Sequence, residues 1–98
     1  MLEVKLANDS SFEISSLHEI FDGQSGISTL TIVHEIKEAD ASQVQGMVTP
    51  ENIKSITLTD DGEKLDEFTK YDTIVAIEKM ISNYERMLTI RLKSQKEA

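Results

Sequence analysis

Between Tyr71 and Ser94 the chain reads as two long strands, Tyr71 to Ser82 and Tyr84 to Ser94, meeting at Ser82-Asn83. That joint is too short for a crossover connection, so the two strands must run antiparallel. A second strand and turn lie upstream, at Ile56 to Leu58 followed by Asp60-Asp61-Gly62, where the Asp61-Gly62 pair suits the positive backbone angles of a tight hairpin. Together they predict a mainly β (α+β) fold, with antiparallel strands in a small sandwich or barrel-like sheet and one short helix.

The remaining segments fit that class. Leu2, Val4 and Leu6 share one strand face, and Asn8-Asp9-Ser10 turns the chain into Phe12 and Ile14, giving a first hairpin. Leu17 to Phe21 suits either an irregular strand or a short helical turn, and Asp22 to Gly26 reads as a loop. Leu30, Ile32, His34 and Ile36 alternate with Thr29, Thr31, Val33 and Glu35, a threonine-rich period of two that favours a strand. Asp40 is placed to cap a short helix by accepting from the backbone N–H groups of Ser42 and Gln43. Val44, Met47 and Val48 would then face the sheet, and Thr49-Pro50 would end the helix or open a turn. Leu65, Phe68 and Tyr71 are spaced by three, so a helical turn competes there with a returning strand. The expected product is about six or seven strands. Its expected core is Leu6, Phe12, Leu30, Ile32, Ile56, Leu58, Ile74, Ala76, Leu88, Ile90 and Leu92.

With 98 residues there is room for one domain, spanning 1–98 and closing in a short polar tail, Lys93 to Ala98. Hydrophobic residues are 39% of the chain, below the usual share but too many for disorder. Cysteine is absent, which removes disulfides, thiol catalysis and thiolate metal sites and fits a cytoplasmic origin. Met1-Leu2-Glu3-Val4-Lys5-Leu6 alternates apolar and charged residues, unlike a signal peptide, so export by that route is not expected. The longest apolar run, Ile74-Val75-Ala76-Ile77, is too short to cross a bilayer, and no membrane partner is expected.

The net charge is −8, divided into −11 over residues 1 to 85 and +3 from Arg86 onward. Such a balance repels nucleic-acid phosphates, so no nucleic-acid partner is expected either. The densest acidic run is Asp60, Asp61, Glu63, Asp66 and Glu67, and the last strand carries Arg91 and Lys93. These seven residues are the candidate interaction residues. The plainer account of both runs is a solvated surface that keeps a β protein from aggregating.

Chemistry finds little foothold. His18 and His34 stand alone with only carboxylates to help them, short of a zinc ligand set, and His34 ends an apolar strand face where a half-buried, hydrogen-bonded structural role is expected. Were Gly62 the glycine of a calcium loop, the closing glutamate would fall on Phe68, which leaves only weak, unspecific binding by Asp60, Asp61 and Glu63. Gly23-Gln24-Ser25-Gly26 has neither the spacing of a nucleophile elbow nor an evident base, and the four glycines form no phosphate loop. No catalytic residue, cofactor or metal is expected, and the chain reads as a non-enzyme.

The order of elements nevertheless has a likeness. A strand pair beginning at Met1 is followed by an apolar Thr-rich strand, Leu30-Thr31-Ile32, and an Asp-led short helix from Asp40 to Val48. Then come Ile53-Lys54-Ser55-Ile56-Thr57-Leu58-Thr59-Asp60-Asp61-Gly62 and a final Leu88-Thr89-Ile90-Arg91-Leu92. Over most of its length this resembles a class of small proteins encoded among the tail and baseplate genes of phages and prophages of Gram-positive bacteria. The resemblance implies a virion structural or assembly component that contacts other virion subunits or itself, in the bacterial cytoplasm during assembly and then in the virion. That class brings no catalytic residues to carry over. Two other readings stay open: a small acidic inhibitor from a mobile element that binds a host nuclease or regulator by imitating DNA charge, and an adaptor domain with a peptide partner.

Overall fold

Four consecutive hairpins build the domain, and they are dealt alternately to two sheets. A computed structural model describes residues 1–37, 40–82 and 85–94. Strands β1 (Leu2–Lys5) and β2 (Ser11–Glu13) pair first, then β3 (Ser16–Asp22) with β4 (Ile27–Glu35), β5 (Ile56–Asp60) with β6 (Glu63–Phe68), and β7 (Tyr71–Ser82) with β8 (Glu85–Ser94). The first and third hairpins join through β1 and β5 into a sheet ordered β2-β1-β5-β6. The second and fourth join through β4 and β8 into a sheet ordered β3-β4-β8-β7. All pairings are antiparallel, and the inner faces of both sheets share one apolar core, so the fold is mainly β and sandwich-like rather than a closed barrel.

The turns follow from local chemistry. Asp61 and Gly62 sit at φ 51° and 86° between the paired residues Asp60 and Glu63, the two-residue hairpin loop that the Asp-Gly pair favours. In the first hairpin Asp9 takes φ 70°, and Asn8 Oδ1 accepts the Ser10 N–H at 3.0 Å. Between β3 and β4 the Asp22 carboxylate accepts the Gln24 N–H at 2.9 Å, and Gly26 adopts φ 74°. The Gln24 N–H first, and then the Ser25 hydroxyl, hold the Asp22 carboxyl below its ordinary pKa.

Helix α1 (Asp40–Met47) supplies buried Val44, the residue just beyond it supplies Val48, and Met47 packs partly against the same core. Asn52 closes its end, donating from Nδ2 to the Met47 carbonyl at 2.8 Å. A single 3-10 turn, Asn52–Lys54, then buries Ile53 completely. The cap expected from Asp40 rests on a side chain outside the described residues, as do Asn83, Tyr84 and the tail from residue 95.

Several expectations need correction. The described residues hold eight strands, because both ambiguous segments are strands: Leu17 to Phe21 lies within β3, and Leu65 and Phe68 lie within β6 with Tyr71 opening β7. Leu17 to Phe21 hides its alternation because Glu19 takes an inner-face position opposite Leu30, while Ile20 points outward opposite Thr29. Leu58 and Ile74 only flank the core, and Ala76 is outside it. For Ala76 the cause is two register shifts in β7, between Tyr71 and Thr73 and between Ile74 and Ala76. They convert a period of two into a spacing of three, so that Tyr71, Ile74 and Ile77 lie opposite Ser94, Leu92 and Ile90 while Ala76 lies opposite Arg91.

Beyond the expected residues the core takes in Val4, Ile14, Ile53, Phe68 and Tyr71, and Val44 and Val48 face the sheet as the helix reading expects. Leu88, Ile90 and Leu92 are at most 1% exposed, so the inward face of β8 is as the alternation predicts. Replacing Ile90 by Asp should abolish cooperative melting, because a buried unpaired charge costs several kcal/mol against a total margin of about 5–15 kcal/mol. Ala76→Glu should melt within a few degrees of wild type while Ile77→Glu melts far lower. Thermal denaturation followed by circular dichroism would reverse that order if β7 kept a strict period of two.

Candidate functional site

The acidic run is held on the β5–β6 hairpin at one rim of the first sheet. Asp60 and Asp61 accept from the Met1 ammonium at 2.7 and 3.0 Å, which raises the pKa of that amine through the two hydrogen bonds. Glu63 lies directly opposite Asp60. Lys64 reaches Glu67 at 3.4 Å, and Asp66 Oδ1 accepts the Glu67 N–H at 2.8 Å. The ion pairs are exposed and stabilise little, so they leave the carboxylates available at the surface.

Arg91 and Lys93 belong to the other sheet. They project from its outer face, opposite Thr31 and Thr29 of β4, as strand alternation beside Ile90 and Leu92 requires. Arg91 Nη1 pairs with Glu78 Oε1 at 3.0 Å. The seven candidate residues therefore do not converge. Five lie on or beside an edge strand of one sheet and two lie on the outer surface of the other.

Residues outside the seven candidates, Glu19, Lys70 and Tyr71 among them, complete the picture at that acidic rim. A surface cavity of about 250 Å³ is lined by Glu19, Asp66, Glu67, Phe68, Thr69 and Lys70. Tyr71 starts on edge strand β7, opposite the small buried Ser94, and its hydroxyl donates to Glu19 Oε2 of the opposite edge strand β3 at 2.6 Å. The ring thus spans the inner face of the sheet, and Lys70 approaches the same carboxylate at 3.5 Å. Burial first, and then the bond to Glu19, push the Tyr71 phenol above its ordinary pKa. Glu19 and Tyr71 are 52 positions apart, and nothing in either local sequence signals the pair.

His34 is hydrogen-bonded as its strand position suggested, but it is fully rather than half-buried. Its Nδ1–H donates to the Glu13 carbonyl at 2.6 Å, and its ring meets Phe12 edge to face at 5.6 Å. Its Nε2 is buried and has no hydrogen-bond partner among the described residues, beside a second cavity of about 190 Å³ that extends under α1 to Gln43, Val44 and Met47. This ties β2 to β4 and so links the two sheets. Among the described residues no three His, Cys, Asp or Glu side chains gather where they could hold a metal ion, and no helix is long and apolar enough to cross a membrane. No family model, curated protein or solved structure matches the chain.

Tyr71→Phe should cost about 1–2 kcal/mol in urea denaturation at neutral pH, the worth of a hydrogen bond to a carboxylate at a partly buried site. The pH dependence has a definite sign. In the unfolded chain the phenol ionises near pH 10, whereas in the folded domain it keeps its proton to higher pH. The Tyr71 contribution is therefore complete below about pH 10 and declines above it, and the Phe variant should lose less stability between about pH 9 and 11 than wild type does. Parallel alkaline losses in the two proteins would refute the assignment.

Proposed function

We propose that this chain is a non-enzymatic structural or assembly component of a phage or prophage virion, acting at the tail or baseplate through contacts with other virion subunits or further copies of itself. The separation of charge carries the reading: carboxylates occupy the β5–β6 rim of one sheet, and Arg91 and Lys93 stand on the outer face of the other. A surface of this kind can meet a copy of itself head to tail, and such heterologous contacts close into rings. The resemblance in element order supports the biological setting.

The inhibitor reading needs an unbroken line of carboxylates to stand in for phosphates. Here Lys5, Lys37 and Lys64 interrupt the acidic surface by pairing with Asp9, Glu13 and Glu67. That arrangement favours assembly over charge mimicry.

Association through these charges should weaken as salt rises, since exposed charges are screened over about 10 Å at 0.1 M ionic strength. Light scattering at low and high salt should show a salt-sensitive mass for wild type and a smaller one for the Arg91→Glu, Lys93→Glu double variant, with unchanged circular dichroism. A wild-type mass that ignores salt would refute contact through Arg91 and Lys93.

A further inference from the structure

The two sheets have four edge strands, and three of them carry features that discourage pairing with another chain. β2 is only three residues long. β6 presents Glu63, Lys64, Asp66 and Glu67 and is kinked by the register shift at Leu58/Thr59. β7 is broken by two register shifts and carries Glu78 and Lys79. Short length, charge and bulges are the usual protections of an open edge.

β3 is neither short nor bulged, and the only charges it carries are the carboxylates of Glu19 and Asp22. It keeps a regular register with β4 over all seven residues from Ser16 to Asp22, and it contains no lysine, arginine or proline. Two large apolar side chains stand open at consecutive positions, Ile20 at 64% and Phe21 at 65% exposure. Consecutive positions face opposite sides of the sheet, so apolar surface lies above and below the same open backbone edge.

We infer that β3 pairs antiparallel with β3 of a second copy about a two-fold axis, joining the two β3-β4-β8-β7 sheets into one continuous sheet. The charges select the register. A two-fold axis perpendicular to the sheet keeps like faces together and allows shifts of two residues only. Centring the axis on Glu19 sets two carboxylates directly opposite one another. Centring it on Ile20 sets Ile20 against its own copy, flanked on the same face by His18 against Asp22 of the second chain and Asp22 against His18. Glu19, held by Tyr71 and Lys70, then lies opposite the apolar Phe21. Apolar cross-strand pairs, and a pair that sets an imidazole N–H near a carboxylate, stabilise a sheet, and like charges opposed destabilise it. A seven-residue strand pair is a small interface, so the dimer is weak and reversible.

This pairing goes beyond the proposed function and uses none of the residues tested there. Sedimentation velocity over a concentration series reaching about 1 mM should show a monomer–dimer equilibrium that is little affected by salt. Ile20→Lys should remain monomeric with wild-type circular dichroism, because its side chain is exposed in the monomer. His18→Glu, which places like charge against Asp22 of the second chain, should weaken dimerisation at least threefold. The Arg91→Glu, Lys93→Glu variant should dimerise as wild type does.

The register is read separately, in a chain that has no cysteine of its own. Under a mild oxidant Ile20→Cys should crosslink rapidly across the axis, whereas Val75→Cys and Leu65→Cys, exposed on β7 and β6, should not. A wild type that stays monomeric throughout, an Ile20→Lys variant that still dimerises, or equal crosslinking at all three positions would overturn the inference. A salt-insensitive dimer that survives the Arg91 and Lys93 reversal, with no salt-sensitive association beside it, would sustain the inference and refute the proposed charge contact.

Discussion

The pairing of β4 with β8 is the constraint on which the rest of the domain depends. It sets Leu30 opposite Leu92, Ile32 opposite Ile90 and His34 opposite Leu88, and every one of these side chains is buried. The partners lie far apart in sequence, and the whole β5–β6 hairpin, the helix and the 3-10 turn are strung between them. Closing so long a loop is entropically expensive, and only the combined burial of both inner faces offsets it. Once β4 and β8 are together, β3 and β7 are fixed as the outer strands, and the first sheet has an apolar surface to cover.

The two sheets differ in how they present themselves outward. The outer face of the first is polar across its width, with Glu3 between Glu13 and Thr59 in one row and Lys5 between Ser11 and Thr57 in the next. The second carries threonines and aliphatics, among them Thr29, Thr31, Val33 and Thr89, with Arg91 and Lys93 set between them. Carboxylates crowd the rim of the polar sheet. A domain with a charged side, a mixed side and unequal edges has several distinct ways to meet a neighbour.

Much of the architecture was legible in the residues because it depends on local chemistry. Asp61-Gly62 announces its turn through backbone sterics, β4 and β8 announce theirs through threonine and isoleucine alternation, and Val44 and Val48 mark the inward side of the helix. What stayed hidden depends on partners distant in sequence. Ala76 was misplaced because the register of β7 is set by strand β8, whose pairing introduces shifts that no pattern within β7 reveals. Glu19 was unreadable for the converse reason: a carboxylate on an inner strand face looks like an error of alternation until the phenol of Tyr71 arrives from the far edge. The acidic and basic runs were visible as composition, but their assignment to different sheets is a property of topology alone.

The alternate dealing of hairpins also has a consequence in time. A ribosome releases the chain from its amino end, so the polar-faced sheet can be complete once Phe68 has emerged, while β4 still waits for β8. At ordinary elongation rates of about 5–20 residues per second, that wait lasts about 1–5 s. During it the β3–β4 hairpin displays Leu30 and Ile32 with no strand on the β8 side of β4 to shield them. Many nascent copies made side by side on one message would then hold the same unfinished hairpin close together, so the arrival of β8 also ends each molecule's exposure to its siblings.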